Sequence, residues 1–153
     1  MQIVFESDEY LVQVTGTQGI AYGKLTLVKS LTLITNKRSY GPYGDKYSTG
    51  TSFQTHPNAQ VLGFFGRCGW MVDQLGAFVA LPPRPVIAGE AWGGDGGSAF
   101  YEGRGEIDQI TVVYTDEYIS RLQVTYLQGG KSFETRPHGT AQGQTVVVSV
   151  SRI

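Results

Sequence analysis

The chain has 153 residues, with 12 Lys plus Arg against 13 Asp plus Glu and a formal net charge of −1. That length suits a single domain spanning residues 1–153, and the balanced charge argues against nucleic acid as a partner. The apolar runs are far shorter than the ~20 residues of a membrane-spanning helix, which argues against membrane insertion. A single cysteine, Cys68, excludes an internal disulfide and leaves a secreted or a cytoplasmic location open.

Apolar residues alternate with polar ones along the whole chain, beginning with Tyr10, Val12 and Val14. This period of two predicts strands, and no stretch shows the period of a helix. The other alternating sets are Leu25 and Leu27; Leu31 and Leu33; Ile110, Val112 and Tyr114; Leu122, Val124 and Tyr126; and Val146, Val148 and Val150. The pattern predicts an antiparallel all-β domain, which is a sandwich, a barrel or a prism.

Glycine-rich segments separate the alternating runs and predict turns at residues 16–19, 41–44, 93–97, 129–130 and 138–143. The segment Leu81–Pro85 contains three prolines, which lack the N–H group of a sheet ladder. It is predicted to form an extended connector between two halves of one domain.

A loop ending at Asp73 is the first candidate site, because Gly66 and Gly69 precede a carboxylate between two predicted strands. Such a loop can aim backbone N–H groups and one carboxylate at the hydroxyls of a sugar. Residues 93–97 add a second loop whose glycines allow close approach to a ligand. The structural alternatives are a carboxylate that caps a turn and a flexible glycine turn. The Gly-x-x-x-Asp spacing recurs at Gly41 and Asp45, where Pro42 removes one donor.

Catalysis has little support in the sequence. Only two histidines are present, His56 and His138, and neither belongs to a recognisable nucleophile motif. A glycoside hydrolase with paired carboxylates is the alternative that stays open. Its candidates are Asp45, Asp73, Asp95, Glu102 and Glu106.

Three motifs in matching contexts carry a resemblance to a known family. Residues 89–100 (GEAWGGDGGSAF) resemble the opening of the jacalin-related lectins. Residues 36–44 (NKRSYGPYG) and 50–53 (GTSF) resemble their third Greek key, and residues 63–69 (GFFGRCG) with 73–76 (DQLG) resemble their closing segment. The match extends over nearly the whole chain.

The resemblance implies a β-prism I fold of three four-stranded Greek-key sheets with pseudo-threefold symmetry. The order of the motifs implies a circular permutation, with residues 1–79 similar to the second half of the family, 80–88 as a linker and 89–153 similar to the first half. New chain ends would then open near Ile3 and Val148. Residues 2–5 and 145–148 would compete for one strand position, and the surplus strand is expected to pair with a second protomer.

The resemblance also implies a mannose/glucose-type sugar site, formed by Gly69, Trp70, Met71, Asp73 and Gly97. A second site of some members requires an aspartate where this chain has Ser120, and the pair Gly41 and Asp45 is a further candidate for a second site. Galactose-preferring members are similar in fold but use a free N-terminal amine ahead of the glycine loop. That loop is interior here, so mannose or glucose is expected.

The resemblance implies sugar binding without calcium or any other cofactor. The expected partners are mannose- or glucose-containing glycans and glycoproteins, bound by a homodimer or a higher oligomer that gains avidity. A protein-interaction module that has lost sugar recognition is the third reading.

Overall fold

The computed structural model describes residues 1–80, 87–101 and 105–150. Its described residues contain strands and no helix, which confirms the predicted all-β class, and none of them forms a helix that could span a membrane. The strands are β1 (Gln2–Phe5), β2 (Leu11–Ala21), β3 (Leu25–Thr35), β4 (Ser39–Gly44), β5 (Thr51–Gln54), β6 (Gln60–Cys68), β7 (Val72–Ala80), β8 (Ile87–Gly93), β9 (Ser98–Tyr101), β10 (Glu106–Tyr114), β11 (Ile119–Gln128), β12 (Lys131–Glu134), β13 (His138–Gly139) and β14 (Gln144–Val150).

The described strands form three sheets, ordered β4-β3-β2-β5, β8-β7-β6-β9 and β1-β14-β10-β11-β12, with β13 also beside β11. Each sheet is built on a long central hairpin: β2–β3, β6–β7 or β10–β11. The strand that follows each hairpin pairs with its second strand, and a later strand (β5, β9 or β14) returns to its first strand, which is a Greek-key connection. This arrangement confirms the predicted three-sheet prism.

One sheet is larger than predicted, because the third has six strands instead of four. Two short strands, β12 and β13, both pair with β11, and residues 135–137 lie between them. Pro137 in this gap has no N–H to donate to a ladder. The sixth strand is β1, which lies parallel to β14 at the sheet edge.

The inner faces of the three sheets meet in one hydrophobic core. Its fully buried side chains come from every sheet and include Phe64, Leu31, Leu33, Ile110 and Leu122. The alternation of the later strands was therefore interpreted correctly except at Leu25, which is 45% exposed at the start of β3. In β2 the predicted face is correct at Val14 but wrong at the start of the strand. Leu11 is buried there while Tyr10 is 47% exposed, because a bulge between Leu11 and Gln13 shifts the phase of the strand.

Two predicted turns are parts of strands. Residues 16–19 lie inside β2 and residues 41–44 lie at the end of β4. Gly16 is required by packing instead of by a turn, because a Cβ there would lie 2.7 Å from the Phe53 ring and 2.1 Å from the Ser30 carbonyl oxygen. The glycines at 93–97, 129–130 and 139–143 do lie at strand ends or in connections.

The two segments expected to compete for one position lie side by side, so that expectation was wrong. Strands β1 and β14 pair in parallel with Ile3 opposite Val148, because the sheet has room for another strand at its edge. The predicted linker 80–88 is shorter at both ends, since Ala80 ends β7 and Ile87 begins β8. The predicted extended segment Leu81–Pro85 lies outside the described residues.

Candidate functional site

The β6–β7 hairpin holds Asp73 close to its own tip. Asp73 is the second residue of β7, and its side-chain oxygen Oδ2 accepts a hydrogen bond of 3.0 Å from the Gly69 N–H. The same N–H lies 3.1 Å from the Met71 carbonyl oxygen, which closes the turn. The residue is only 6% exposed, so its carboxylate is fixed in orientation.

The loop between β8 and β9 lies directly against this tip. The Gly94 N–H donates to the backbone carbonyl of Asp73 at 2.8 Å. A Cβ on Gly96 would lie 2.5 Å from Asp73 Oδ1, and a Cβ on Gly97 would lie 2.6 Å from the Gly69 nitrogen. Two segments that are distant in sequence therefore meet at the Asp73 carboxylate, and only glycine fits there.

Arg67 fastens the glycine loop from the neighbouring strand. Its Nε donates to the Gly96 carbonyl oxygen at 2.8 Å, and its Nη2 donates to the Gly97 carbonyl oxygen at 2.7 Å. With both carbonyl oxygens bonded to the guanidinium, the loop is held against the β6 strand. This role of Arg67 was not predictable from the sequence, because a single arginine within a predicted strand has no distinctive spacing.

The exposed part of the tip is supported from two sides. The side chain of Trp70 is 82% exposed, while its carbonyl oxygen accepts from the Thr140 N–H at 3.1 Å and from the Thr140 hydroxyl at 2.6 Å. Met71 packs against the small apolar cluster of Ala21, Leu27 and Tyr118. Thr140 is another contributor that no sequence signal identified.

The tip and the glycine loop together leave donors and acceptors free for a ligand. Within the described residues, the N–H groups of Trp70, Met71 and Gly97 donate to no protein acceptor, whereas the Gly69 N–H is taken by Asp73. Burial raises the pKa of the Asp73 carboxyl, although the Gly69 hydrogen bond and the Arg67 charge act in the opposite direction. A carboxylate beside several free amides is a donor and acceptor set suited to sugar hydroxyls.

The other candidate positions are arranged differently. Gly41 lies within β4, and Asp45 follows that strand with its carboxylate 3.6 Å from the Lys29 ammonium. The two therefore do not share a hairpin tip as Gly69 and Asp73 do. Ser120 is fully buried, and its hydroxyl donates to the Gln142 carbonyl oxygen at 2.7 Å.

The two histidines lie in separate surroundings. The exposed His56 ring donates to the Pro57 carbonyl oxygen at 2.8 Å, and the buried His138 ring stacks on Phe100 with centroids 3.9 Å apart. Of the carboxylates considered for hydrolysis, Glu102 lies outside the described residues. In the part of the chain that the structure describes, no three His, Cys, Asp or Glu side chains are placed to hold a metal ion.

Comparison with known proteins gives relatives that are named as lectins or agglutinins. A mannose/glucose-specific lectin of Parkia platycephala is 36% identical over 116 residues, covering 74% of this chain and 26% of the relative. An agglutinin of Castanea crenata is 29% identical over 152 residues, covering 91% of this chain and 48% of the relative. A galactose-specific lectin of Morus indica is 42% identical over 74 residues, covering 48% of this chain and 45% of the relative. The chain thus spans about half or less of the length of these relatives.

The family model for the jacalin-like lectin domain matches residues 1–78 and 89–151, which together include nearly the whole chain. Both loops that meet at Asp73 lie inside these matched ranges. The family is one of carbohydrate-binding proteins, not of enzymes. The all-β prism and the matched ranges agree: the chain belongs to the jacalin-like lectin domain family.

Proposed function

We propose that this domain binds mannose- or glucose-type sugars at Asp73, without a metal ion. The observation that carries the proposal is the meeting of the Asp73 carboxylate with the glycine loop, where a Cβ on Gly96 would lie 2.5 Å from Asp73 Oδ1. Two adjacent hydroxyls of a pyranose donate to the carboxylate. The N–H groups of Trp70, Met71 and Gly97 donate to the ring oxygen and to the exocyclic oxygen.

Gly69 has a different role in this proposal from the other tip residues. Its N–H is already bonded to Asp73 Oδ2 at 3.0 Å, so it positions the carboxylate instead of touching the sugar. A fixed carboxylate loses little freedom when the ligand binds, which helps a small site reach useful affinity. A handful of hydrogen bonds in a shallow site corresponds to roughly millimolar to sub-millimolar affinity for a monosaccharide.

The preference for mannose or glucose is supported by the position of the glycine loop. Gly93 continues from Trp92 within β8, so the loop carries an ordinary peptide bond upstream and no free amine. The site therefore contains no ammonium group to favour an axial galactose hydroxyl. The name of the Parkia platycephala relative agrees with this preference, and that of the Morus indica relative is the alternative to test.

A glycan array followed by calorimetric titration with methyl α-mannoside tests the proposal. The wild type binds mannose- and glucose-terminated glycans equally well with and without a chelator, and the Asp73→Ala variant loses this signal. Asp116→Ala is the matched control, because this exposed carboxylate lies at the tip of the equivalent β10–β11 hairpin. Undiminished binding by a folded Asp73→Ala variant refutes the site. A flat array for the folded wild type favours a protein-interaction module.

We also propose that the domain acts as a dimer joined through β1. This strand lies at the edge of its sheet and contains no charge, no proline and no bulge, so nothing blocks pairing with a second copy. Val4 within it is 50% exposed. Sedimentation is expected to show a dimer for the wild type and a monomer for Val4→Lys, and a monomeric wild type would disprove the idea.

The circular permutation is a further part of the proposal. Each Greek key is continuous in this chain, and the family model matches in two ranges separated by residues 79–88. Ile3 and Val148, where the new ends were expected, are direct neighbours in adjacent strands. A re-permuted variant that starts at Gly89, joins Val150 to Ser7 and ends at Ala80 is expected to fold and to bind the same sugars. Failure of that variant to fold would contradict the proposed order.

A further inference from the structure

The three central hairpins meet in a small apolar cluster beside the candidate site. This cluster is separate from the main core and consists of Ala21, Leu27 and Tyr118, with the Met71 side chain packed against them. Ala21 and Leu27 belong to the β2–β3 hairpin, and Tyr118 lies at the tip of the β10–β11 hairpin. Met71 lies at the tip of the β6–β7 hairpin. The tip that carries the candidate site is therefore packed against residues of both other sheets.

Tyr118 is the largest side chain of this cluster and is fixed in place. It is only 3% exposed, although it lies in a connection between two strands, where side chains usually face water. The Thr115 N–H donates to the Tyr118 carbonyl oxygen at 3.0 Å, and the Thr115 hydroxyl oxygen accepts from the Tyr118 N–H at 3.2 Å. With both backbone groups bonded, Tyr118 gives Met71 a rigid surface to pack against.

Tyr22, at the tip of the β2–β3 hairpin, supports Tyr118 from the solvent side. The two rings are tilted by 59° with centroids 5.8 Å apart. A hydrogen bond with the Tyr22 side chain, together with burial, raises the pKa of Tyr118 to about 12. Tyr22 has a φ of +48°, which is unfavourable for a bulky side chain. Such a conformation persists only where the surroundings enforce it, and it is found preferentially at functional sites.

Met71 connects the cluster to the Asp73 carboxylate. The Met71 carbonyl oxygen lies 3.1 Å from the Gly69 nitrogen, and the same Gly69 N–H donates to Asp73 Oδ2 at 3.0 Å. A displacement of the Met71 backbone would therefore alter the hydrogen bond that orients the carboxylate. It would also move the Met71 N–H, which is one of the amides that donate to no protein acceptor in the described structure.

We propose that Tyr118 is a positioning residue of the sugar site, which holds the Met71 backbone in place from a neighbouring sheet with Tyr22 as its support. Tyr118 is buried, so it acts through Met71 instead of contacting the sugar. The proposal rests on the proposed binding of sugar at Asp73. Its effect on the Asp73 carboxylate, however, is present in the free protein and can be measured without sugar.

Two substitutions of Tyr118 test the role of its ring in sugar binding. Tyr118→Ala is expected to weaken calorimetric binding of methyl α-mannoside about tenfold, which corresponds to the loss of one well-placed hydrogen bond. Tyr118→Phe keeps the ring against Met71 and is expected to retain wild-type affinity. Ile110→Ala is the matched control, because Ile110 is 1% exposed in the main core and its truncation destabilises the fold without touching this cluster. A merely structural role would leave the affinity of folded Tyr118→Ala unchanged, as in Ile110→Ala.

An NMR titration of the Asp73 carboxyl in the free protein tests the same connection without sugar. The Gly69 hydrogen bond and the Arg67 charge both lower the pKa of Asp73 against the larger effect of burial, and only the hydrogen bond depends on Met71. Tyr118→Ala is therefore expected to raise the pKa of Asp73 above its wild-type value, whereas Tyr118→Phe leaves it unchanged. If the pKa rises but the wild type binds no mannoside, the proposed function fails and the positioning of the carboxylate stands.

Tyr22→Gly provides a second variant in case Tyr118→Ala does not fold. Glycine adopts a positive φ without strain, and the Tyr22 side chain is 64% exposed, so this substitution leaves the fold intact. It removes the support of Tyr118 and is expected to raise the pKa of Asp73 and to weaken mannoside binding severalfold. The proposal is overturned by a wild-type Asp73 pKa in folded Tyr118→Ala, or in Tyr22→Gly if the alanine variant does not fold. Wild-type affinity in folded Tyr118→Ala would overturn it as well.

Discussion

Replacement of Gly97 by alanine separates close packing at the candidate site from ordinary backbone strain. Gly97 has a φ of +59°, and its added Cβ would lie 2.4 Å from the Cys68 carbonyl carbon and 2.6 Å from the Gly69 nitrogen. Gly129 has a φ of +58°, yet its added Cβ would meet nothing within 4 Å. The two positions therefore share one backbone conformation and differ in what surrounds them.

The expected destabilisation follows from these two contributions. Left-handed backbone costs an alanine about 1–2 kcal/mol, which is the whole effect expected for Gly129→Ala. At Gly97 the colliding atoms are backbone, which cannot rotate away as a flexible side chain would, so overpacking adds about 1–3 kcal/mol. The displaced loop also carries the Gly97 amide away from Asp73, and sugar affinity is expected to fall at least tenfold.

Urea denaturation of the two alanine variants measures the difference in free energy of unfolding, and calorimetric titration with methyl α-mannoside measures the loss of affinity. Gly129→Ala serves as the matched control and keeps wild-type affinity. Equal destabilisation by the two substitutions, or wild-type affinity in Gly97→Ala, would refute the close approach of the glycine loop to the hairpin tip.

Three further predictions concern charged groups. The pKa of Asp73 is raised and the sugar requires the ionised carboxylate, so sugar affinity is expected to begin to fall at a higher pH than it would with an ordinary aspartate. The Asp73→Asn variant is expected to lose affinity at neutral pH without unfolding more readily. A flat pH profile of the wild-type Kd would contradict this. Arg67→Met frees the glycine loop and is expected to weaken methyl α-mannoside binding about tenfold, with only a small change in the free energy of unfolding. Unchanged affinity would count against a positioning role for Arg67. Burial raises the pKa of Glu9, but hydrogen bonds from Thr35, the Glu6 N–H and Tyr40 outweigh it and lower the pKa overall, so the stability that Glu9 contributes is present above its unfolded pKa and lost as pH falls through the folded value. Glu9→Gln should therefore lose less stability than the wild type in urea denaturation from roughly pH 5 to pH 3, and parallel losses would contradict this.

The strands were predictable because alternation reports directly on burial. Leu122 and Val124 alternate with polar neighbours and lie in the core as expected. The phase of β2 was not predictable, because the bulge near Gln13 depends on its pairing with β3 and leaves no mark in the sequence. The same applies to Gly16, whose turn-like composition reflects the Phe53 ring packed against it.

Prediction of the candidate site required information other than the alternation that predicted the strands. Spacing identified Asp73 and the glycine loop as separate candidates, and only the resemblance to the lectin family placed them together. Alternation cannot predict which loops of a prism meet, since that is decided by the Greek-key connections between sheets. The roles of Arg67 and Thr140 could not be predicted, because each side chain or amide bonds to backbone carbonyl groups that become its neighbours only in the folded chain.

The most direct test of the Asp73 site is an amide chemical-shift titration of the wild-type domain with methyl α-mannoside. The largest shifts are expected at the Trp70, Met71 and Gly97 amides, which donate to no protein acceptor in the described structure. The amides of residues 44–50 should stay unshifted by this neutral ligand. Shifts confined to any other surface, with none at the hairpin tip or at Gly97, would contradict the account.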